Sequence, residues 1–228
     1  MSESPGLFPT VLASSVHDIK NSLGMLLQSL DAVVERVPVS QRPGFHELAV
    51  LQYESARINN ALVQLLALYK LDHQQLPLNI SYHFLADFLQ EQGLRYQNLL
   101  SLKQIAMTIE VDTDLAWYFD CDLIGSVIDN IITNSIRYTH SQLLLRAELE
   151  NDQLVISIAD DGPGYPRSML DQPDRYLLGI SRSTGSTGLG LFFAGEIARM
   201  HRRADAHGHI VLRNGQRLVG GEFRLHLP

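Results

Sequence analysis

The chain has 228 residues, 45% hydrophobic and 19% charged, which suits one globular domain with an appendage or two small ones and excludes disordered and fibrous classes. Its 18 basic and 25 acidic side chains leave a net charge of −7, so a broad nucleic-acid surface or an anionic-membrane anchor is not expected. The single cysteine, Cys121, excludes an intramolecular disulfide and a thiolate metal cluster. No apolar run approaches the ~18 residues of a membrane span, and the opening Met-Ser-Glu-Ser-Pro-Gly lacks the basic and apolar regions of a secretory signal. The expectation is a cytoplasmic protein without membrane insertion.

The first element is helical. Leu12, Val16, Ile19, Leu23, Leu26, Leu30, Val33 and Val37 recur alternately four and three residues apart, the seam of a long helix packed on other helices. Pro38 and Arg42-Pro43-Gly44 break it into a turn. A second seam follows through Phe45, Leu48, Leu51, Ser55, Ile58, Leu62, Leu65 and Tyr69. Two antiparallel helices leave such seams in water unless something covers them. A homodimer forming a four-helix bundle is the economical cover, and packing on the chain's own C-terminal part is the other. After a linker over 72–77, the pattern predicts a helix over 84–102, strands over 105–110 and 117–119, and a helix over 123–138. Strands over 143–150 and 154–159 are joined by Asn151-Asp152, a hairpin turn. Residues 165–187 read as a mobile loop and 188–201 as a helix. Strands 210–213 and 222–227 pair around Asn214-Gly215. The order of elements is α+β rather than alternating β and α.

Two glycine motifs carry chemistry. Asp160-Asp161-Gly162-Pro163-Gly164 follows the apolar strand Val155-Ile156-Ser157-Ile158. Asp160 there can accept a hydrogen bond from an amino group, while Gly162 and Gly164 let a flat ring approach the backbone. Gly188-Leu189-Gly190-Leu191 opens a helix, where free N–H groups favour phosphate. Neither motif is a Walker A loop or a dinucleotide fingerprint. Asn130 and Asn134, four residues apart on one helix face, present amide oxygens that suit Mg²⁺ with retained water and phosphate oxygens, and Arg137 follows on the same face as a phosphate partner. Taken singly, each of these features is equally a plain turn or a solvated polar face.

Together they resemble the sensor histidine kinases and the ATP-binding domain of the gyrase–MutL superfamily. Residues Asp129-Asn130-Ile131-Ile132-Thr133-Asn134-Ser135-Ile136-Arg137-Tyr138-Thr139 are similar to that family's N box. Asp160 to Gly164 is similar to its first glycine box, Gly188 to Leu191 to its second, and Gly220 to Pro228 to its closing strand. The resemblance implies ATP and Mg²⁺ as cofactors. Asn134 would hold the metal, Asp160 would receive the adenine amino group, and Tyr138 would pack beside the nucleotide. Asn130, Arg137, Gly162, Gly164, Thr187, Gly188, Leu189 and Gly190 would complete the nucleotide site. His17-Asp18-Ile19-Lys20-Asn21 resembles the phosphoacceptor box, which implies His17 as phosphoryl acceptor, Asp18 as its base and Asn21 as the residue that orients water in a phosphatase reaction.

The implied organisation is a dimerisation and histidine-phosphotransfer hairpin over 1–74, a four-helix bundle in the dimer, followed by an α/β-sandwich ATP-binding catalytic domain over 75–228. The implied activity is phosphorylation of His17 from ATP and transfer to an aspartate of a response-regulator receiver domain, together with phosphatase activity. The resemblance runs from about Thr10 to Pro228 and leaves little for a sensor, so the routes open for an input are a separate sensor or input protein, the dimer, or none at all. Two other functions stay open. One is a non-catalytic phosphotransfer or adaptor protein with a degenerate nucleotide domain; the other is an ATP-driven binding module or serine kinase of the same superfamily.

Overall fold

The computed structural model describes residues 45–73, 75–171 and 189–228, together with residues 19, 21, 22, 24–26, 29 and 32, which are helical. The chain divides into two compact units, Met1–Pro77 and Leu78–Pro228. No helix among the described residues is long and apolar enough to cross a membrane.

In the first unit, helix α1 (Phe45–Asp72) follows the second seam for 28 residues that contain neither glycine nor proline, and it carries Lys70 in its last turn, where a cation suits the helix dipole. Leu51, Ile58 and Leu65, seven residues apart, are each about half exposed, and so are the helical residues Ile19 and Leu26, also seven apart. The turn expected over 38–44, and His17 and Asp18, lie outside the described residues.

The second unit begins with strand β1 (Ile80–Phe84), in a segment for which no element was expected. Helices α2 (Leu85–Leu94) and α3 (Gln97–Lys103) come next. The single helix expected over 84–102 is therefore two. The break falls at Arg95 and Tyr96, where the Tyr96 N–H donates to the Gly93 carbonyl three residues back (3.1 Å) instead of continuing the i→i−4 ladder. The Tyr96 hydroxyl lies within hydrogen-bond distance of Asp129 and of the Thr133 hydroxyl, and Arg95 pairs with both Glu91 and Asp129. These tertiary contacts outweigh the local helical pattern.

Strands β2 (Ala106–Val111) and β3 (Ala116–Asp120), helix α4 (Cys121–Tyr138), and strands β4 (Gln142–Glu150) and β5 (Gln153–Asp160) follow. Asn151 and Asp152 both have positive φ, the two-residue turn whose twist matches paired strands. Residues 167–171, expected within a loop, form a short helix, α5 (Arg167–Asp171). Helix α6 (Leu189–Met200), the short strands β6 (Arg202–Arg203) and β7 (Ala206–His207), and then β8 (His209–Asn214) and β9 (Gly221–Leu227) complete the unit.

The main sheet has the order β2-β4-β5-β9-β8, with β2 parallel to β4 and the other neighbours antiparallel; β1 pairs separately with β3. Helices α4 and α6 pack on each other and on this sheet. Ile124, Ile128, Ile132, Phe193 and Ile197 from the helices meet Leu145, Ile156, Phe223 and Leu225 from the strands, all of them buried. This core supplies the main driving force for the unit, about 1.5–3 kcal/mol per large apolar side chain buried.

The opposite sheet face is ionic. Arg146 bridges Glu110 and Glu148, Arg217 reaches Glu148 and Glu222, and Arg224 reaches Glu150. His226 stacks on His209 at 4.4 Å, and its Nε2 is buried with no hydrogen-bond partner among the described residues. Burial, then His209 and Arg224, push the His226 imidazole down to about 4. Its pKa in the unfolded chain is about 6.5, so as pH falls from there to 4 the unfolded chain binds more protons and this unit loses stability. We expect His226→Gln to flatten the decline in Tm over that window. The fluorescence of Trp117, the single tryptophan, reads this unit directly; equal slopes in the two proteins would show that His226 is not the group responsible.

Candidate functional site

Helix α4 is built to hold a polar edge in place. At its start Asp120 caps the helix by accepting from the Leu123 N–H (3.0 Å) and also accepts from the Asn79 N–H (2.7 Å). The backbone N–H of Asp120 donates to Nε2 of the buried His201 at the end of α6, and the His201 Nδ1 lies 2.8 Å from the Ile197 carbonyl. Burial lowers the pKa of His201, consistent with a neutral ring whose Nδ1–H donates to that carbonyl. The isoleucine stripe of α4 faces the core, while Asn130, Asn134, Arg137 and Tyr138 run along its other side.

Among these four, only Asn130 is buried. Asn134 Nδ2 donates to Asn130 Oδ1 (3.3 Å), and among the described residues no hydrogen bond engages the amide oxygen of the exposed Asn134. Asn130 Nδ2 is buried without a partner among the described residues. The two amide oxygens expected to act alike therefore differ: one is tied up inside, the other faces solvent. Arg137 lies over the Tyr138 ring, 5.5 Å from its centroid, and both side chains are exposed.

Asp160 ends β5, nearly buried. Its Oδ1 accepts from the Gly162 N–H (2.8 Å) and the Gly221 N–H (3.3 Å), and its carbonyl accepts from the Gly220 N–H (3.0 Å). No described hydrogen bond engages Oδ2, so one acceptor remains for a ligand donor. Burial raises this carboxyl's pKa against the pull of the two glycine N–H groups. A Cβ on Gly220 would run into the carboxylate, and one on Gly162 would run into the Tyr138 carbonyl. Loop, strand and helix end thus close on Asp160 only because these positions lack side chains.

The neighbouring Asp161 does something else. It accepts from the N–H groups of His140 and Ser141 and from the Ser141 hydroxyl (2.7 Å). Burial opposes its charge, but these donors win and hold it at about 2. Asp161 is a structural tie between the end of α4 and the loop after β5.

Four contributors were not singled out in the sequence: Gly220 and Gly221, read only as part of a closing strand, and the pair Tyr165 and Asn214. The Asn214 side chain accepts from the Tyr165 N–H and donates to the Tyr165 carbonyl, both at 2.8 Å, pairing with the backbone as a strand would. It also occupies the space beside Gly164, whose φ is +77°. The Tyr165 ring lies against Gly221, and burial beside Asp160 raises its phenol. The one available signal was the glycine pair ahead of an apolar strand.

Leu189 and Gly190 open α6, as expected, whereas Thr187 and Gly188 lie outside the described residues. Gly190 comes directly against the Asn130 amide, inside the space a Cβ would need. The second glycine motif and the asparagine helix are therefore in contact, which spacing alone did not reveal. Asn21 is exposed on a helix in the first unit, and no side-chain geometry for His17 or Asp18 can be set beside it.

Replacing Gly190 by Ala should overpack this contact, at a cost of about 1–3 kcal/mol. Most of that cost should disappear in an Asn130→Ala background, because the clash then has no partner. Urea denaturation of the four proteins of this cycle checks it; additive costs would show that the contact is not the cause.

A family model described as histidine kinase-, DNA gyrase B-, and HSP90-like ATPase matches residues 119–228. The sensor protein SrrB of Staphylococcus aureus (strain N315) is 26% identical over 196 residues, covering 83% of this chain and 34% of the relative. The chain thus spans about one third of the length of the curated relatives it matches. The catalytic domain of histidine kinase ThkA in a nucleotide-free form has a TM-score of 0.57 at 21% identity, covering 66% of this chain and 97% of that one. The Acinetobacter baumannii histidine kinase AdeS has a TM-score of 0.58 at 18% identity, over 92% and 96% of the two chains. Full-length ShkA in complex with AMPPNP has a TM-score of 0.65 at 19% identity, over 96% of this chain and 46% of that one. At such identities the structures speak for the fold. Residues 119–228 thus match the model of the histidine kinase-, DNA gyrase B- and HSP90-like ATPases, the chain is similar in sequence to a sensor histidine kinase, and its fold is that of the histidine kinase structures.

Proposed function

We propose that the chain is the kinase core of a two-component system, which phosphorylates His17 from ATP and passes the phosphoryl group to an aspartate of a response-regulator receiver domain. The observation that carries this reading is the setting of Asp160: a nearly buried carboxylate with one oxygen held by glycine N–H groups and the other without a described hydrogen bond, in a loop that passes against the end of α4. An adenine amino group is the donor that such an acceptor fits. Asn130, Arg137, Tyr138, Gly162, Gly164, Thr187, Gly188, Leu189 and Gly190 complete the proposed nucleotide site.

Among the described residues no three His, Cys, Asp or Glu side chains come close enough to hold a metal, so a cation here would depend on phosphate oxygens and water together with the Asn134 amide oxygen. That donor set suits Mg²⁺, which would neutralise charge on the phosphates. In the transfer step a lone pair of the neutral His17 imidazole attacks the γ-phosphorus, the bond to the β-phosphate oxygen breaks, ADP leaves, and Asp18 takes the ring proton. The phosphoryl group then moves to the receiver aspartate, and Asn21 orients water when the regulator is dephosphorylated.

The half-exposed ridges Ile19/Leu26 and Leu51/Ile58/Leu65 support a homodimer through the N-terminal helices, since a second copy would cover them. Our reading also includes a cytoplasmic location and a division of labour in which 1–74 is the phosphoacceptor hairpin and 75–228 the ATP-binding domain.

Incubation with γ-labelled ATP and Mg²⁺ tests the proposal. Wild type should take up label that survives base and is lost in acid, whereas His17→Gln should take up none while still binding ATP. Label on both proteins, or on neither while ATP binds, overturns it. Asn21→Ala should keep autophosphorylation and lose phosphatase activity toward a phosphorylated receiver domain by at least about tenfold, the scale of one lost positioning interaction; a parallel fall of both activities would deny Asn21 a separate role.

A further inference from the structure

Side chains of a strand alternate between two faces, and in β1 the usual sorting is reversed. His83 points to the protected side, its ring 5.0 Å from that of the fully buried Phe119. Ile80, Tyr82 and Phe84 share the other side and are 45%, 56% and 49% exposed. Directly across from Tyr82 in the strand register stands Tyr118, 65% exposed, with ring centroids 5.0 Å apart, while Phe84 meets Tyr82 edge-on at 5.9 Å. Single exposed apolar residues are ordinary, but a contiguous aromatic face is the composition of an interaction surface.

The same Tyr82 lines an open groove of about 680 Å³ that also takes in the half-exposed Leu149 and the carboxylates Asp112 and Asp114. The arginine in this groove, Arg146, is already engaged by Glu110 and Glu148. Asp112 accepts from the Asp114 N–H (3.0 Å), and among the described residues neither aspartate has a cation in ion-pair distance. The aromatic face is therefore bordered by uncompensated negative charge.

We propose that the β1–β3 face and this groove form a docking site for a cationic, amphipathic segment of a partner protein. Its apolar side chains would lie on Tyr82, Phe84 and Tyr118, and its lysines or arginines would turn toward Asp112 and Asp114. Tyrosine rings attract cations across their faces, so the same residues serve both halves of such a segment. A second copy of this chain is a poor occupant, because the net charge is −7 and self-pairing would bring the acidic borders together.

The test uses the full chain without nucleotide and two fluorescein-labelled peptides: an amphipathic lysine/leucine peptide and the same sequence with every lysine changed to glutamate. The basic peptide should bind by fluorescence anisotropy, weaken as salt is raised, and lose at least about tenfold in affinity both in Tyr82→Ser/Tyr118→Ser and in Asp112→Lys/Asp114→Lys, roughly one well-placed contact's worth of binding. The acidic peptide should not bind. All four positions are at the surface, and an unchanged circular dichroism melt shows that each variant stays folded; the charge-reversed pair stands alone if the serine pair does not. Equal affinity of the basic peptide for wild type and variants, binding of both peptides alike, or no binding of the basic peptide overturns the proposal. Self-association in sedimentation that disappears in Tyr82→Ser/Tyr118→Ser would assign the face to a second copy and overturn it as well.

Discussion

One carboxylate holds the second unit's working end together. Asp160 receives N–H groups from three glycines of two different segments, the loop after β5 and the start of β9, two of them on its carboxylate and one on its carbonyl, while that loop passes against the last carbonyl of α4. A buried carboxylate needs such donors, because leaving it unpaired would cost several kcal/mol. Meeting that need fixes the backbone around it. With Oδ1 engaged by the protein, the direction in which Oδ2 can accept is set by the fold rather than by a rotamer choice.

Asp160 and Asp161 show how far adjacent identical residues can diverge. The first is raised by burial and has an oxygen with no described hydrogen bond; the second is held at about 2 by a ring of donors from His140 and Ser141. Alternation along β5 explains the difference, since consecutive residues face opposite sides of the strand end. One turns to the helix layer and the other to the segment entering β4.

Much of this unit was legible in the sequence because its signals are local. The apolar spacing of α4 together with its capping aspartate, the Asn151-Asp152 turn, and the two glycine motifs each carry their structure within a few residues. What escaped depends on partners distant in the chain. The break at Arg95 and Tyr96 exists to meet Asp129 and Thr133, the contact between Gly190 and Asn130 joins positions sixty residues apart, and Asn214 pairs with the backbone of a residue 49 positions away. Strand β1 does alternate apolar and polar residues, but over only five positions between a linker and a helix, too short a run to stand out, and its apolar side chains face outward rather than into the core. The proposed phosphoacceptor end was legible only as a motif and a seam, because His17 and Asp18 fall outside the described residues.

The position of β9 has a consequence for how the unit assembles. The last strand in sequence is not an edge: it lies between β5 and β8, and its Leu227 stands opposite Leu154. The β4–β5 hairpin can form early from neighbouring residues, yet one whole side of β5 stays unsatisfied until a segment some seventy residues later arrives. During synthesis, the hairpin must therefore wait with an open, strongly apolar strand edge. Contacts of such long range slow folding and leave intermediates prone to association. The central pairing that makes the finished sheet cooperative is the same feature that makes its assembly late.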